Sequence, residues 1–409
     1  MAILYNSAHL YSVNRSGLPA GAKQQCVTTS LPEGFSAYVA NVGIKDDTND
    51  FTVVFARGNP TSAGVFTQSR FAGPSVVVSR PRRDKAHAIV VVSKNANVAT
   101  GSQGLSDSKE ITHLVAQRLG IADDNVLIAT TGVIGRALPM ELIRAGIAAM
   151  DGHNTTDADN VAHGIMTTDT VPKVASASIA DSAARIVGVA KGVGMIEPNM
   201  ATLIAMIFTD AAIDGADLDA ILRTTVDQTL NCLSIDTDTS TSDTAIILSS
   251  GIIAAVGHAA FASALHEVLI SLTQQIARDG EGAEKLIEVT VDGANNVAQA
   301  KRVAKSIVNS PLVKTAVHGA DPNWGRVAMA IGKCSDDTDI LQENVVIRFG
   351  SQEVYPSAVT ASDLEQLSNY MRGDTVRIHV SLNISDATST VWGCDLTAGY
   401  IRINADYTT

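Results

Sequence analysis

Apolar positions along the chain follow two rhythms. Continuous or alternating runs predict strands over 51–56 (FTVVFA), 63–68 (AGVFTQ), 75–79 (SVVVS), 88–93 (AIVVVS) and 125–130 (NVLIAT). Further strands are expected over 173–180, 185–190, 285–294, 343–349, 374–382 and 389–397. Helical spacing predicts helices over 107–119, which Gly120 would stop, and over 139–150, with Pro139 in the first turn. The same spacing recurs over 155–166, 217–233, 261–280, 296–310 and 361–372. Strands and helices alternate too irregularly for a barrel of repeated units or a simple doubly wound sheet. The expected class is α+β, with sheets covered by helices.

One stretch does not fit either rhythm. In KGVGMIEPNMATLIAMIFTDA (191–211), a Gly-rich turn, an acid and a proline run straight into an apolar strand. The first polar side chain at the mouth of that strand is Thr202, directly after Ala201.

Composition narrows the class. The 409 residues are 45% hydrophobic, 18% charged and 4% aromatic, enough apolar material for two packed layers or two domains built mainly from Ala, Val, Ile and Leu. The net charge is −12, and the densest basic run, RPRRDK at 80–85, reads as a solvated turn, so no nucleic-acid partner is expected. No apolar run reaches membrane-spanning length and the first residues lack a signal-peptide pattern, so the chain reads as cytoplasmic, with no membrane partner. Cys26, Cys232, Cys334 and Cys394 have neither metal nor redox spacing and read as reduced thiols. The glycosylation sequons at Asn14, Asn154 and Asn383 carry no meaning in such a chain.

Familiar catalytic signatures fail. KGVGMIEP lacks the third glycine of a dinucleotide turn, TTGVIGR lacks the lysine of a phosphate loop, and no Gly-x-Ser-x-Gly elbow occurs. The nine histidines show no ligand spacing, and His163 and His318 read as structural, so no metal site is expected. What remains are small polar residues beside glycines: TTGVIG (130–135), DTDTSTSDT (236–244) and GADPNWGR (319–326). Such segments make turns, but they can also fix N–H groups and hydroxyls where negative charge develops. A threonine hydroxyl needs a base. If the chain breaks before Thr202, the new α-amino group, with a pKa of about 7.7–8.0, supplies one.

These residues resemble the glutamate N-acetyltransferase (ornithine acetyltransferase) family, whose members process themselves around a threonine nucleophile. The matching segments are KGVGMIEPNMATL, TTGVIGRALPME, IMTTDTVPK, DTSTSDT, DGEGAEKLIEV, SPLVKTAVHGADPNWGR and YIRINADYTT, from about residue 60 to the last. The resemblance implies the α/β sandwich shared by self-processing Thr- and Ser-nucleophile enzymes. It implies cleavage between Ala201 and Thr202, giving an α chain 1–201 and a β chain 202–409 that pair as α2β2. It further implies acetyl transfer from N-acetylornithine to glutamate through an acetyl ester on Thr202. Thr131 and Gly132 match the oxyanion pair, and Thr167, Lys191, Thr202, Glu281, Asn404 and Thr409 match substrate-binding positions. No metal or prosthetic cofactor is implied; acetyl-CoA is a possible second donor. Lys94, Glu197 and Ser242 depart from the common family pattern and resemble the branch found in clavulanic-acid gene clusters. The alternatives are an amidohydrolase or aminopeptidase on the same fold, which passes the acyl group to water, and a binding protein that is never cut.

Overall fold

The computed structural model of the chain describes residues 29–150, 152, 154–197 and 203–406. Three sheets organise them. The first has the order Phe35–Ala40, Phe51–Ala56, Ala88–Val92, Val126–Thr130, with only the last pair parallel. The second runs Thr61–Phe66, Thr244–Ile253, Ile204–Ala211, Arg185–Lys191, Lys173–Ser178. Its one parallel pair joins Ile204–Ala211 to Thr244–Ile253. The third holds the late strands, with Leu286–Ala294 between Thr375–Ser381 and Ala387–Cys394.

Successive side chains of a strand point to opposite faces, so a strand buried on both faces must be apolar throughout. That is why AIVVV reads as an unbroken run. Ile89 and Val91 join Val54, Leu127 and Ala129 against Val189, Met206, Phe208 and Leu248 of the second sheet. Val161 and Ile165 of the helix Ala158–Ile165 join the same core. Ala88, Val90 and Val92 pack outward on Ile111 and Val115 of the helix Gly101–Leu119 and on Ile143 of Met140–Ala148. The second sheet likewise turns Ile186, Ala205, Ile207 and Ile247 onto Leu222, Leu265, Leu269 and Leu272 of the helices Gly215–Gln228 and His258–Arg278. That core continues onto the third sheet. The architecture is α+β, with two central sheets face to face and helices on their outer faces.

The segment 75–79 departs from its predicted strand: Pro74–Ser79 is a helix. Three valines suit a strand, but Pro74 stands at the start with its φ already suited to a helix. Tertiary bonds then fix it. Ser79 Oγ donates to the Ile128 carbonyl at 2.7 Å and accepts from the Ile128 N–H at 2.8 Å, while Ser75 and Thr130 hydroxyls meet at 2.8 Å. The first long helix starts at Gly101 rather than Asp107; Asn97 Nδ2 ties down its polar opening turn by donating to Gly104 O and Ser108 Oγ, each at 2.9 Å. GADPNWGR, read as a turn, opens the helix Trp324–Gly332.

Candidate active site

The sheet register gathers the site. Ile204, the first residue of its strand, pairs with Lys191 on one side and Thr244 on the other. The Thr244 N–H donates to the Leu203 carbonyl at 2.9 Å. One end of the second sheet thus brings together the Lys191 turn, the strand that follows Thr202 and the polar loop before Thr244. A cavity of about 370 Å³ opens there. Its wall includes Thr131, Gly132, Thr167, Lys191, Glu281 and Asn404, six sequence-predicted site residues from five separate segments. Leu203, Ile204 and residues 240–243 complete much of the rest. Ala201, Thr202 and Thr409 lie outside the described residues, as do Cys26 and the sequon at Asn14.

Each side chain is placed by local structure. Thr131 and Gly132 follow the strand Val126–Thr130 and rest on the backbone of 92–95. The Thr131 N–H is already committed to the Val92 carbonyl at 3.1 Å. Its hydroxyl accepts from Lys191 Nζ at 3.3 Å, which leaves the hydroxyl proton for the cavity. Among the described residues the Gly132 N–H has no acceptor. The donors left free at this turn are therefore one hydroxyl and one N–H, the pair expected to serve an oxyanion. Thr131→Val should lower kcat about 100-fold, while Thr131→Ser keeps most of it; equal kcat values for the two would remove the hydroxyl from this role.

Glu281 is held from both sides. Its N–H donates to Val193 O at 2.8 Å; its carboxylate accepts from Thr168 Oγ1 at 3.3 Å and Asn404 Nδ2 at 2.9 Å. Asn404 sits on the helix Ala398–Asp406, which the Thr397 hydroxyl ties to the Gly282 carbonyl at 2.6 Å. Gly282 has φ +69°, and a Cβ there would meet Tyr400 N at 2.3 Å, so only glycine lets the tail approach this closely.

Lys191 is buried, and burial pushes its pKa down. Asp169 opposes this, with its Oδ2 3.9 Å from Lys191 Nζ. Burial by itself would raise the Asp169 pKa, but Lys191, Lys173 and the Gly192 N–H hold it down to about 2. Asp169 was not singled out from the sequence. The signal was present in TTDTVPK, where an Asp and a Lys stand four apart. In a strand-entry loop that spacing does not imply contact.

Two polar segments singled out in the sequence, 130–135 and 236–244, reach the cavity; 319–326 does not. His318 Nδ1 faces Asp395 Oδ2 at 3.2 Å and Glu284 Oε2 at 3.6 Å, away from the cavity wall, and His163 Nδ1 meets its own helix at the Asp159 carbonyl, 2.7 Å away. Cys232, Cys334 and Cys394 are free thiols; burial pushes Cys394 up to about 11, which makes it a poor nucleophile at neutral pH. Among the described residues no helix is long and apolar enough to cross a membrane.

An α+β fold with a cavity lined by hydroxyls, a buried lysine and a carboxylate is that of an enzyme for small substrates. The chain belongs to the ArgJ family, whose sequence pattern it matches over residues 36–409. It is 58% identical over 384 residues to the arginine biosynthesis bifunctional protein ArgJ 2 of Nostoc, covering 93% of this chain and 99% of that protein. It is 51% identical over 391 residues to glutamate N-acetyltransferase Oat2 of Streptomyces clavuligerus, with 93% and 99% coverage. The crystal structure of arginine biosynthesis bifunctional protein argJ from Bacillus halodurans is 42% identical, covers 48% of this chain and 96% of that chain, and superposes with a TM-score of 0.46.

Proposed function

We propose that the cavity is the acyl-transfer site of a self-processing acetyltransferase that moves acetyl from N-acetylornithine to glutamate. The supporting observation is the convergence of six residues, spread from 131 to 404, on one cavity whose wall includes Leu203, the residue after Thr202. In this reading the Ala201–Thr202 peptide is first cut by attack of the Thr202 hydroxyl on the Ala201 carbonyl. An N-to-O acyl shift gives an ester that water opens. The products are an α chain 1–201 and a β chain 202–409, which pair as α2β2 in the cytoplasm.

The freed α-amine then serves as base. It takes the proton of the Thr202 hydroxyl as the oxygen attacks the acetyl carbonyl of the donor. Charge develops on the carbonyl oxygen, where the Thr131 hydroxyl and Gly132 N–H donate. The C–N bond breaks, and the leaving amine of ornithine takes the proton from the α-ammonium. The amine of glutamate next attacks the acetyl ester and regenerates Thr202. Lys191 would hold a substrate carboxylate, and Glu281 with Thr167 and Asn404 a substrate ammonium; Thr409 is proposed as a further substrate-binding residue. Acetyl rides on the enzyme itself, so the cycle calls for no bound cofactor, and acetyl-CoA enters only as an alternative donor.

Ornithine release from N-acetylornithine should depend on glutamate after the first turnover, with N-acetylglutamate formed in equal amount. The same steady rate with and without glutamate would replace the transferase reading with a hydrolase.

A further inference from the structure

Beneath the cavity lies a charge cluster that the acyl-transfer steps do not use. Lys173 is fully buried. Its Nζ donates to Asp169 Oδ1 at 2.7 Å, to Asp279 Oδ2 at 2.6 Å and to the Val171 carbonyl at 3.3 Å. The Asp169 side chain is fully buried and that of Asp279 almost so. None of the three lines the cavity.

Each carboxylate also holds backbone. Asp169 accepts from the Gly192 N–H at 2.7 Å and the Thr167 N–H at 3.0 Å. Asp279 ends the helix His258–Arg278 and accepts from the Thr170 N–H at 3.1 Å and from the Thr170 hydroxyl. Glu281 follows two residues later. Three segments that carry cavity groups, at 167–170, 191–194 and 279–281, are therefore joined at one ammonium. Burying such a cluster is costly, and apolar residues of similar volume would serve stability as well. Its placement beneath those segments is what distinguishes it.

We propose that Asp169, Lys173 and Asp279 form a positioning cluster that keeps Lys191 charged and in register with Thr167 and Glu281, so that the cavity accepts a carboxylate at neutral pH. This rests on the reading of the cavity as an N-acetylornithine site. The groups acting on Lys191 are Asp169, Glu281 and Asp243, which favour its charge, and Lys173, which opposes it; the Thr131 hydroxyl accepts a hydrogen bond from its Nζ. Burial also opposes the charge. Asp279 offsets Lys173. Without it the cluster changes from a net −1 to neutral. Loss of either Asp lowers the pKa of Lys191, which then loses its proton as pH rises through a lower value.

The test uses the processed enzyme with N-acetylornithine and glutamate, from about pH 6 to 9. Asp169→Asn should raise the donor KM about tenfold near pH 8, with kcat little changed, and move the alkaline limb of kcat/KM to lower pH by about one unit. Asp279→Asn should shift both in the same direction by less. Unmoved limbs and KM values in both variants, with wild-type melting and processing, would overturn the cluster's role. If Asp169→Asn does not fold, Asp279→Asn decides, since it keeps the Asp169–Lys173 pair. A third arm needs no variant: wild-type enzyme acting on the methyl ester of N-acetylornithine should lose the limb, and a limb that persists with the ester overturns the assignment to Lys191. Absence of any wild-type acetyl transfer would instead count against the functional reading.

Discussion

Thr202→Ala is expected to leave one uncut chain of 42.7 kDa with no acetyl transfer. A single oxygen serves both reactions in the proposed mechanism. It opens the Ala201–Thr202 peptide, and the amine exposed by that cut becomes the base for every later turnover. Alanine removes the oxygen and thereby also prevents the base from appearing. Thr202→Ser keeps a hydroxyl and should still cut, more slowly, because the oxygen loses the methyl group that restricts its rotamers. Intact mass before and after incubation reads the cut, and ornithine release reads turnover. Cleavage at the same bond in the alanine variant would remove Thr202 from the mechanism.

Gly132→Ala should cost about 1,000-fold in kcat, more than loss of the Thr131 hydroxyl alone. Gly132 has φ +131°, where a side chain is strained. A Cβ there would lie 2.2 Å from the Lys94 carbonyl carbon, 2.5 Å from its Cα and 2.6 Å from Asn95 N. These are backbone atoms, and they have little room to retreat. Lys94 has φ +72°, its side chain is buried, and its Nζ is fixed by Asp46 Oδ1 at 2.5 Å and by the Thr48 carbonyl and hydroxyl at 2.8 and 2.6 Å. The hydrogen bond from Lys94 holds the Asp46 carboxyl well below the usual carboxylate range. The turn itself must move, and it carries both proposed oxyanion donors. Steady-state kinetics beside a melting curve separate this from unfolding. A folded variant with near-wild-type kcat would show that the turn is not an oxyanion site.

Lys94 and Gly132 illustrate what a sequence hides. A lysine in SKNANV gives no sign that it takes a left-handed backbone or that a glycine 38 positions later rests on it. The valine run at 75–79 forms a helix where its pattern predicts a strand, because periodicity cannot separate a short strand from a short buried helix. There the two serines, bonded to Ile128 and Thr130 on a neighbouring strand, decided the outcome.

Part of the chemical inventory was legible from residue types and order. A hydroxyl between a small residue and an apolar strand pointed to Thr202, and Gly-rich turns with further hydroxyls pointed to 130–135 and 236–244, but Thr131, Gly132, Thr167, Lys191, Glu281 and Asn404 were named through the motifs shared with the glutamate N-acetyltransferase family. The layering of much of the core was legible too, since strands buried on both faces must be apolar throughout. Tertiary structure alone decided which donors are free and which charges survive burial. The Thr131 N–H is taken by Val92, and the ammonium of Lys191 sits above Asp169, which Lys173 joins to Asp279, 110 residues further along the chain. Hydrogen bonding and electrostatics depend on distance in space, and separation along the chain does not encode it.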